Sequence, residues 1–517
     1  MRRLLVLLPI AVLAAGCFGG GGGGSGSRFT FGVAAEPTSL DGALASDVES
    51  RRVISQMFEG LVALKPGTTD LTPGLATTWG ADSSDRVWTF QLRPDVQFQD
   101  GTPLNAAAVC ANFERWYHFR GADRDLDRSY YWQRVFGGFA GQPSLYGKCV
   151  SRGLSVEIHL TRTNSSFLSA LPLPAFSIAS PQSLRLREPV GTGPFRLDSW
   201  THGDRLVLAR NDDYWGEAPE LADVVFRFIP SDIDRLHALE KGEIDGYELV
   251  AAQDIPAIEK DPALKLVERP PFNVGYVTIN QARPPMDKLL VRQAVAFGLD
   301  RQRLADSFQP QGSAIVASLF QPPLVFGGST TAAQYSYRPD ESRRLLRLAG
   351  LTPPVTIELW YPTDVSRPYL PDPAGAFSLL ASGLERAGFK VIAKSAPWDQ
   401  GYLVRVDQGR AGQLNLVGWT GDFGDPNDFL GTFFSGPTRQ FGFDDPTLFS
   451  LLAHAGREPA RAKRVALYRQ ANERVMQLLP GVPLVHTEEL VALRAGVEGY
   501  IASPFGPERF AGITRTE

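Results

Sequence analysis

Asp422, Asp425 and Asp428 recur at every third residue in the segment Gly418-Trp419-Thr420-Gly421-Asp422-Phe423-Gly424-Asp425-Pro426-Asn427-Asp428-Phe429. Carboxylates at this density beside an indole suit a cationic guest. A carboxylate in a poorly hydrated cleft makes charge-assisted hydrogen bonds to an ammonium group, and a Trp face attracts the same charge. The three-residue spacing departs from the alternate-residue ligands of a calcium loop, so no metal is expected here. Loop aspartates also cap turns. Asp425, which precedes Pro426, and Asp428 are read that way, while Asp422, with Trp419 and Thr420 beside it, keeps both readings open. The preceding Leu414-Asn415-Leu416-Val417 reads as a short buried strand. The motif therefore sits where a strand runs out into a turn, which is where α/β sheets bind ligands.

Other chemistries find little support. The chain has no G-x-S-x-G elbow, P-loop or H-E-x-x-H pair, and its six histidines are scattered, none paired at ligand spacing. A net charge of −4 with no Lys/Arg run gives no footprint for nucleic acid. Cys110 and Cys149, once Cys17 is set aside, form an even pair; in an oxidising compartment they are expected to be joined, and the alternative is two buried thiols.

Several strings appear in an order that resembles the extracellular solute-binding proteins of family 5, the dipeptide- and oligopeptide-binding proteins of ATP-driven importers. They are Pro73-Gly74-Leu75-Ala76 with Trp79, Trp88-Thr89-Phe90-Gln91-Leu92-Arg93, Val190-Gly191-Thr192-Gly193-Pro194-Phe195, Tyr214-Trp215, Gly242-Glu243-Ile244-Asp245, Val291-Arg292-Gln293-Ala294 and the aspartate loop itself. The resemblance spans nearly the whole chain and is closest to the dipeptide-binding branch. It implies that Asp422 takes the ligand's α-ammonium. It also implies that Arg367, in Ser366-Arg367-Pro368-Tyr369-Leu370-Pro371, takes the C-terminal carboxylate through its planar fork. Tyr369 would line the same pocket, and Tyr130 or Tyr131 would close it from a second domain. Glu36 and Thr38 lie in Ala35-Glu36-Pro37-Thr38-Ser39-Leu40-Asp41, which is similar to the family's first cleft loop; Glu36 would favour a basic ligand side chain if it faced the cleft, and a surface acid is the plainer reading.

The elements that must position these residues are mixed. Strand-like runs at Phe29 to Val33, Leu206 to Ala209, Val224 to Phe228 and Val355 to Leu359 alternate with helical runs at Asp340 to Ala349 and Ala374 to Ala387, which suggests βαβ-like lobes. At 517 residues the chain exceeds one hydrophobic core. The resemblance implies an α/β, periplasmic-binding-protein-like fold of two lobes with an additional domain and the ligand cleft between the lobes. Domain I is expected at 28–62, 190–272 and 482–517, domain II at 63–189 and domain III at 273–481.

Arg2 and Arg3, the apolar run Leu4 to Ala15 and Ala14-Ala15-Gly16-Cys17 read as a lipoprotein signal over 1–17, with Cys17 the lipidated residue. Residues 18–27, nearly all Gly and Ser, read as a flexible tether. The expected protein is thus an extracytoplasmic monomer, periplasmic or lipid-anchored to the outer face of the cell membrane. It would carry no cofactor, capture a short peptide, and hand it to permease and ATPase subunits on other chains. The same fold also takes longer peptides, haem, nickel chelates, opines and oligosaccharides, and a secreted hydrolase is the remaining alternative.

Overall fold

The computed structural model describes residues 27–186, 188–308, 312–505 and 508–516. The signal, Cys17 and all of the tether but Ser27 lie outside the described residues. The chain folds around three principal β-sheets, each with its own apolar core.

The first lobe is built on a seven-stranded sheet in the order Leu264–Arg269, Glu489–Arg494, Gly246–Glu248, Ser27–Val33, Leu221–Phe228, Arg205–Arg210 and Phe195–Thr201. Ser27–Val33 runs parallel to both of its neighbours, as βαβ-like connections require. Phe29 and Phe31 point inward from it and are fully buried against Phe510, which the C-terminal segment returns to this lobe.

The second lobe is a six-stranded sheet, in the order Ala314–Val316, Gly481–Thr487, Asn273–Ile279, Leu414–Thr420, Val355–Thr363 and Phe389–Pro397. Asn273–Ile279 and Gly481–Thr487 are buried at every residue, because helices and loops cover both faces of the sheet. The helices expected near 340–349 and 374–387 form at Pro339–Leu348 and Pro373–Arg386. Asp372 caps the latter by accepting from the Gly375 amide, whereas Asp340 lies inside the first turn of the former, where it faces the positive end of the helix dipole.

The third sheet, in the order Ala76–Ala81, Val87–Leu92, Ser155–Leu160 and Tyr146–Arg152, packs with the helix Ala106–Tyr117 around an aromatic core that includes Phe113, Trp116, Trp132, Phe136 and Tyr146. Cys110 on that helix and Cys149 on the edge strand form a disulfide with Cα atoms 5.3 Å apart.

One expected boundary needs correction. A break at 482 would give Gly481–Thr487 to the first lobe, but this strand pairs with Asn273–Ile279 and Ala314–Val316 in the second. We place the crossing between Thr487 and Glu489, because only from Glu489 does the chain pair with the first-lobe strands. It lies beside the other crossing, Arg269 to Asn273, and the two are stitched together. The Asn273 side chain donates to the Thr487 carbonyl at 2.9 Å and accepts from the Thr487 amide at 3.0 Å. Arg269 donates to Glu489 at 2.5 Å.

On the first-lobe side of this junction lies a buried ionic cluster. Arg52 pairs with Glu248 and with Glu508 at 3.4 Å and approaches Glu49 at 3.5 Å, while Arg269 reaches Glu248 at 2.9 Å and Glu508 at 2.6 Å. Burial raises the pKa of Glu49 and of Glu489, whereas the two guanidiniums overcome burial at Glu248 and hold it down to about 2.

Candidate functional site

The strand Leu414–Thr420 pairs antiparallel with Asn273–Ile279 along its whole length and parallel with Val355–Thr363 at Leu414 and Asn415, and its C-terminal end leads into the aspartate loop. Gly418 has to be glycine, since the Tyr369 ring lies against its backbone where a Cβ would project. That contact docks the Ser366–Pro371 segment on the strand. Burial pushes the Tyr369 phenol up to about 12.

Two of the three aspartates shape the loop. Asp428 is fully buried and accepts from the amides of Asp422 at 2.6 Å and Phe423 at 3.4 Å. Asp425, also fully buried, accepts from the Asn427 amide, from Ser166 at 3.0 Å, and from Arg464 at 2.9 and 2.8 Å. Asp422 differs. Its Oδ1 accepts from the Tyr131 hydroxyl at 3.2 Å and the Tyr130 phenol also stabilises the carboxylate, so its partners come from another unit; its Oδ2, like Oδ1 of Asp428, is buried with no hydrogen-bond partner. Burial raises its pKa despite the nearby Arg51 and Arg134. Asp428 is pushed well up, first by burial and then by the charge of Asp422.

Tyr130 and Tyr131 open the helix Tyr130–Phe136 of the third-sheet unit, with rings edge to face at 5.0 Å. Both phenols are raised by burial. Arg134, one turn along the same helix, sits with Cζ 5.9 Å from the Trp419 ring centroid and Nη2 4.0 Å from Asp428, and it donates to Thr432. The indole face expected to receive a ligand cation is therefore approached by Arg134. Sequence reasoning missed this residue, although its place four after Tyr130 puts the two on one helix face. It also missed Arg51, whose helix Val48–Met57 belongs to the first lobe and carries no local sign of a site.

A cavity of about 230 Å³ opens beside Asp422, where all three units meet, with Phe423, Arg51, Lys65, Phe505 and Arg509 in its wall. Of the residues expected at the site, only Asp422 lines it. Thr420 is exposed at the strand end, paired with Asn273. Arg367 is exposed with its guanidinium 5.2 Å from the Trp398 ring centroid, and its backbone closes a tight turn with Leu370. Glu36 does not face this cavity: its carboxylate binds His202 and accepts from the Gly203 amide at 3.1 Å, which makes it a surface-loop acid. Thr38 is exposed and bonds Asp47 and Ser50 at the start of Val48–Met57. Among the described residues no group of three or more His, Cys, Asp or Glu is placed to hold a metal ion, and no helix is long and apolar enough to cross a membrane.

The family model for the bacterial extracellular solute-binding proteins, family 5 (middle region), matches residues 70–441. The chain belongs to family 5 of these solute-binding proteins. It is 29% identical to the dipeptide-binding protein of Escherichia coli K12 over 89% of each chain. It is 27% identical to heme-binding protein A of Haemophilus influenzae over 95% of this chain and 92% of that one. The structure of the periplasmic binding protein DppA of Helicobacter pylori, in complex with the peptide STSA, superposes with a TM-score of 0.75 at 26% identity, covering 95% of this chain and 98% of the other. Family 5 proteins serve ABC importers as the solute-capturing component, and the two lobes and additional domain described above are the family's architecture.

Proposed function

We propose that this protein captures short peptides of dipeptide type and delivers them to the permease and ATPase of an ABC importer. The observation that carries this reading is Asp422, which lines a cavity where the three units meet and whose Oδ2 is buried with no hydrogen-bond partner. An unpaired buried carboxylate oxygen is costly, and a peptide ammonium supplies both the missing charge and the missing donors. Tyr131 steadies the other oxygen from a different unit, so ligand contacts drawn from several units favour the closed arrangement. The peptide-related names of the E. coli and H. pylori relatives support the same class of solute. Lipidation at Cys17 would hold a monomeric protein beside its permease; loss of membrane association in Cys17→Ser is the expected result.

Calorimetry with an equimolar library of di- and tripeptides tests the ligand. Wild type is expected to bind, and Asp422→Asn to lose at least about thirtyfold in affinity, since truncating one member of a buried charge pair costs about 2–5 kcal/mol. An N-acetylated library, which lacks the ammonium, is expected to bind no better to wild type than to the variant. Peptide binding undisturbed by Asp422→Asn would place the site elsewhere.

A further inference from the structure

The third-sheet unit is joined to the first lobe by the chain itself and by main-chain hydrogen bonds. It is formed between the helix Val48–Met57 and the strand Phe195–Thr201, which both pack in the first-lobe core. Ile178 donates its amide to the Glu59 carbonyl at 2.9 Å, Leu75 to Gly60 at 3.0 Å and Ala76 to Leu61 at 2.9 Å. The Gln99 side chain donates to the carbonyls of Gly193 at 3.0 Å and Phe195 at 2.7 Å. A rotation of the lobes about the Asn273 and Thr487 junction therefore carries this unit along with the first lobe.

Its grip on the second lobe is of another kind and centres on a short turn at 164–166. Ser165 donates its amide to the Gly456 carbonyl at 3.0 Å and its hydroxyl to the Glu458 carbonyl at 2.8 Å. The Ser166 hydroxyl donates to Asp425 at 3.0 Å, and Arg464 donates to the Ser165 carbonyl at 3.2 Å. Asp425 and Arg464 stand on one lobe, so their ion pair survives when the lobes part and keeps the seat for the turn in place. Only the bonds to the turn break, and water replaces them, so together they bias the lobes toward closure without fixing them there. None of Ser165, Ser166, Asp425, Gly456, Glu458 and Arg464 lines the cavity beside Asp422, and no atom of a solute is needed to complete these bonds.

Resting on the lobe closure in the reading above, we infer that the turn at 164–166 is a solute-independent catch, which seats on Asp425, Arg464 and the carbonyls of Gly456 and Glu458 and keeps a fraction of the empty protein closed. A ligand shifts such an equilibrium by its differential affinity for the two states and no more. The catch supplies part of the closing free energy beforehand, and the solute supplies the remainder.

Hydrogen exchange resolved to single amides by fragmentation mass spectrometry reads the catch, because the hydrogen bond of the Ser165 amide runs across the lobes. In protein stripped of carried solute by dialysis from guanidinium chloride, the Ser165 amide is expected to exchange at least about tenfold more slowly than an unprotected amide. Ser166→Ala and Ser165→Ala should each speed that amide at least about threefold, while the amides of Asn273–Ile279 and the Tm hold. A Ser165 amide that exchanges freely in the stripped wild type overturns the catch, and so does protection that neither substitution reduces. Stripped protein that protects Ser165 but binds no member of the di- and tripeptide library upholds the catch and removes the peptide reading. Peptide binding by protein whose Ser165 amide was unprotected beforehand removes the catch and leaves peptide capture intact.

Discussion

Asp422 and Asp428 lie on one loop, yet hydrogen bonding separates their roles. Each leaves one buried oxygen without a hydrogen-bond partner, but Asp428 receives two backbone amides on the other and so fixes the loop, whereas Asp422 receives a tyrosine hydroxyl from another unit and lines the cavity. Because burial holds the Asp422 carboxyl above the usual carboxylate range, the ionised form that an ammonium needs is lost sooner on acidification. Peptide affinity is expected to weaken as pH falls, beginning above the ordinary aspartate value of about 3.9, while the weak binding of Asp422→Asn stays flat. Affinity of the wild type that held constant from pH 8 to about 4 would contradict this. Asp422 could be singled out in the sequence because it stands beside Trp419 in a string that resembles the family's, and it lines the cavity. Arg51 and Arg134 were not, because an arginine on an amphipathic helix looks the same in sequence whether it faces water or a cavity. Glu36 and Thr38 were placed by their loop alone, and a loop does not reveal which way its side chains turn.

At the scale of elements, Asp425 does more than shape its turn. Its carboxylate grips Arg464 of the helix Arg461–Leu478 with two hydrogen bonds and accepts from Ser166 of the third-sheet unit, while Arg464 also donates to the Ser165 carbonyl at 3.2 Å. The loop that carries Asp422 is thereby clamped to the unit that supplies Tyr131. Asp425→Asn would leave a buried guanidinium without its counter-charge, and a loss of about 3–5 kcal/mol is expected on urea unfolding. A loss below about 1 kcal/mol would show that the clamp is weak. The strands and helices themselves were readable from periodicity and glycine stops, and all five expected strands appear within a few residues of their places. The domain edge at 482 was misplaced because Gly481–Thr487 is apolar throughout, and a run of that kind carries no mark of which sheet it joins.

At the scale of the whole molecule, the cluster of Glu49, Glu248, Glu489 and Glu508 around Arg52 and Arg269 holds more carboxylates than guanidiniums. Glu49 and Glu489, with raised pKa values, contribute stability that is complete below the unfolded glutamate value of about 4.3 and is lost as pH rises through their folded values. Glu248, held near 2, works in the opposite sense, and its contribution disappears as pH falls from about 4.3 toward 2. Glu49→Gln removes a buried charge whose nearest guanidinium contact is 3.5 Å while leaving Glu248 and Glu508 on Arg52. Thermal melts should show the variant gaining on wild type as pH rises above about 4.3, levelling off once Glu49 is ionised in the folded protein. A difference that shrank as pH rose above about 4.3 would refute the assignment of the raised value to Glu49.

The Asn273 and Thr487 stitch has a consequence for motion. Two chain crossings fastened side by side leave the lobes one easy freedom, rotation about the line through the fastening, and resist sliding of one sheet past the other. On the lobe-closure reading proposed above, opening carries Asp422 on the second lobe and Arg51 on the first apart along a single arc. Amides of Asn273–Ile279 and Gly481–Thr487 would exchange equally slowly in the empty and filled protein, while the aspartate loop and the Tyr130–Phe136 helix slow only when the arc is closed.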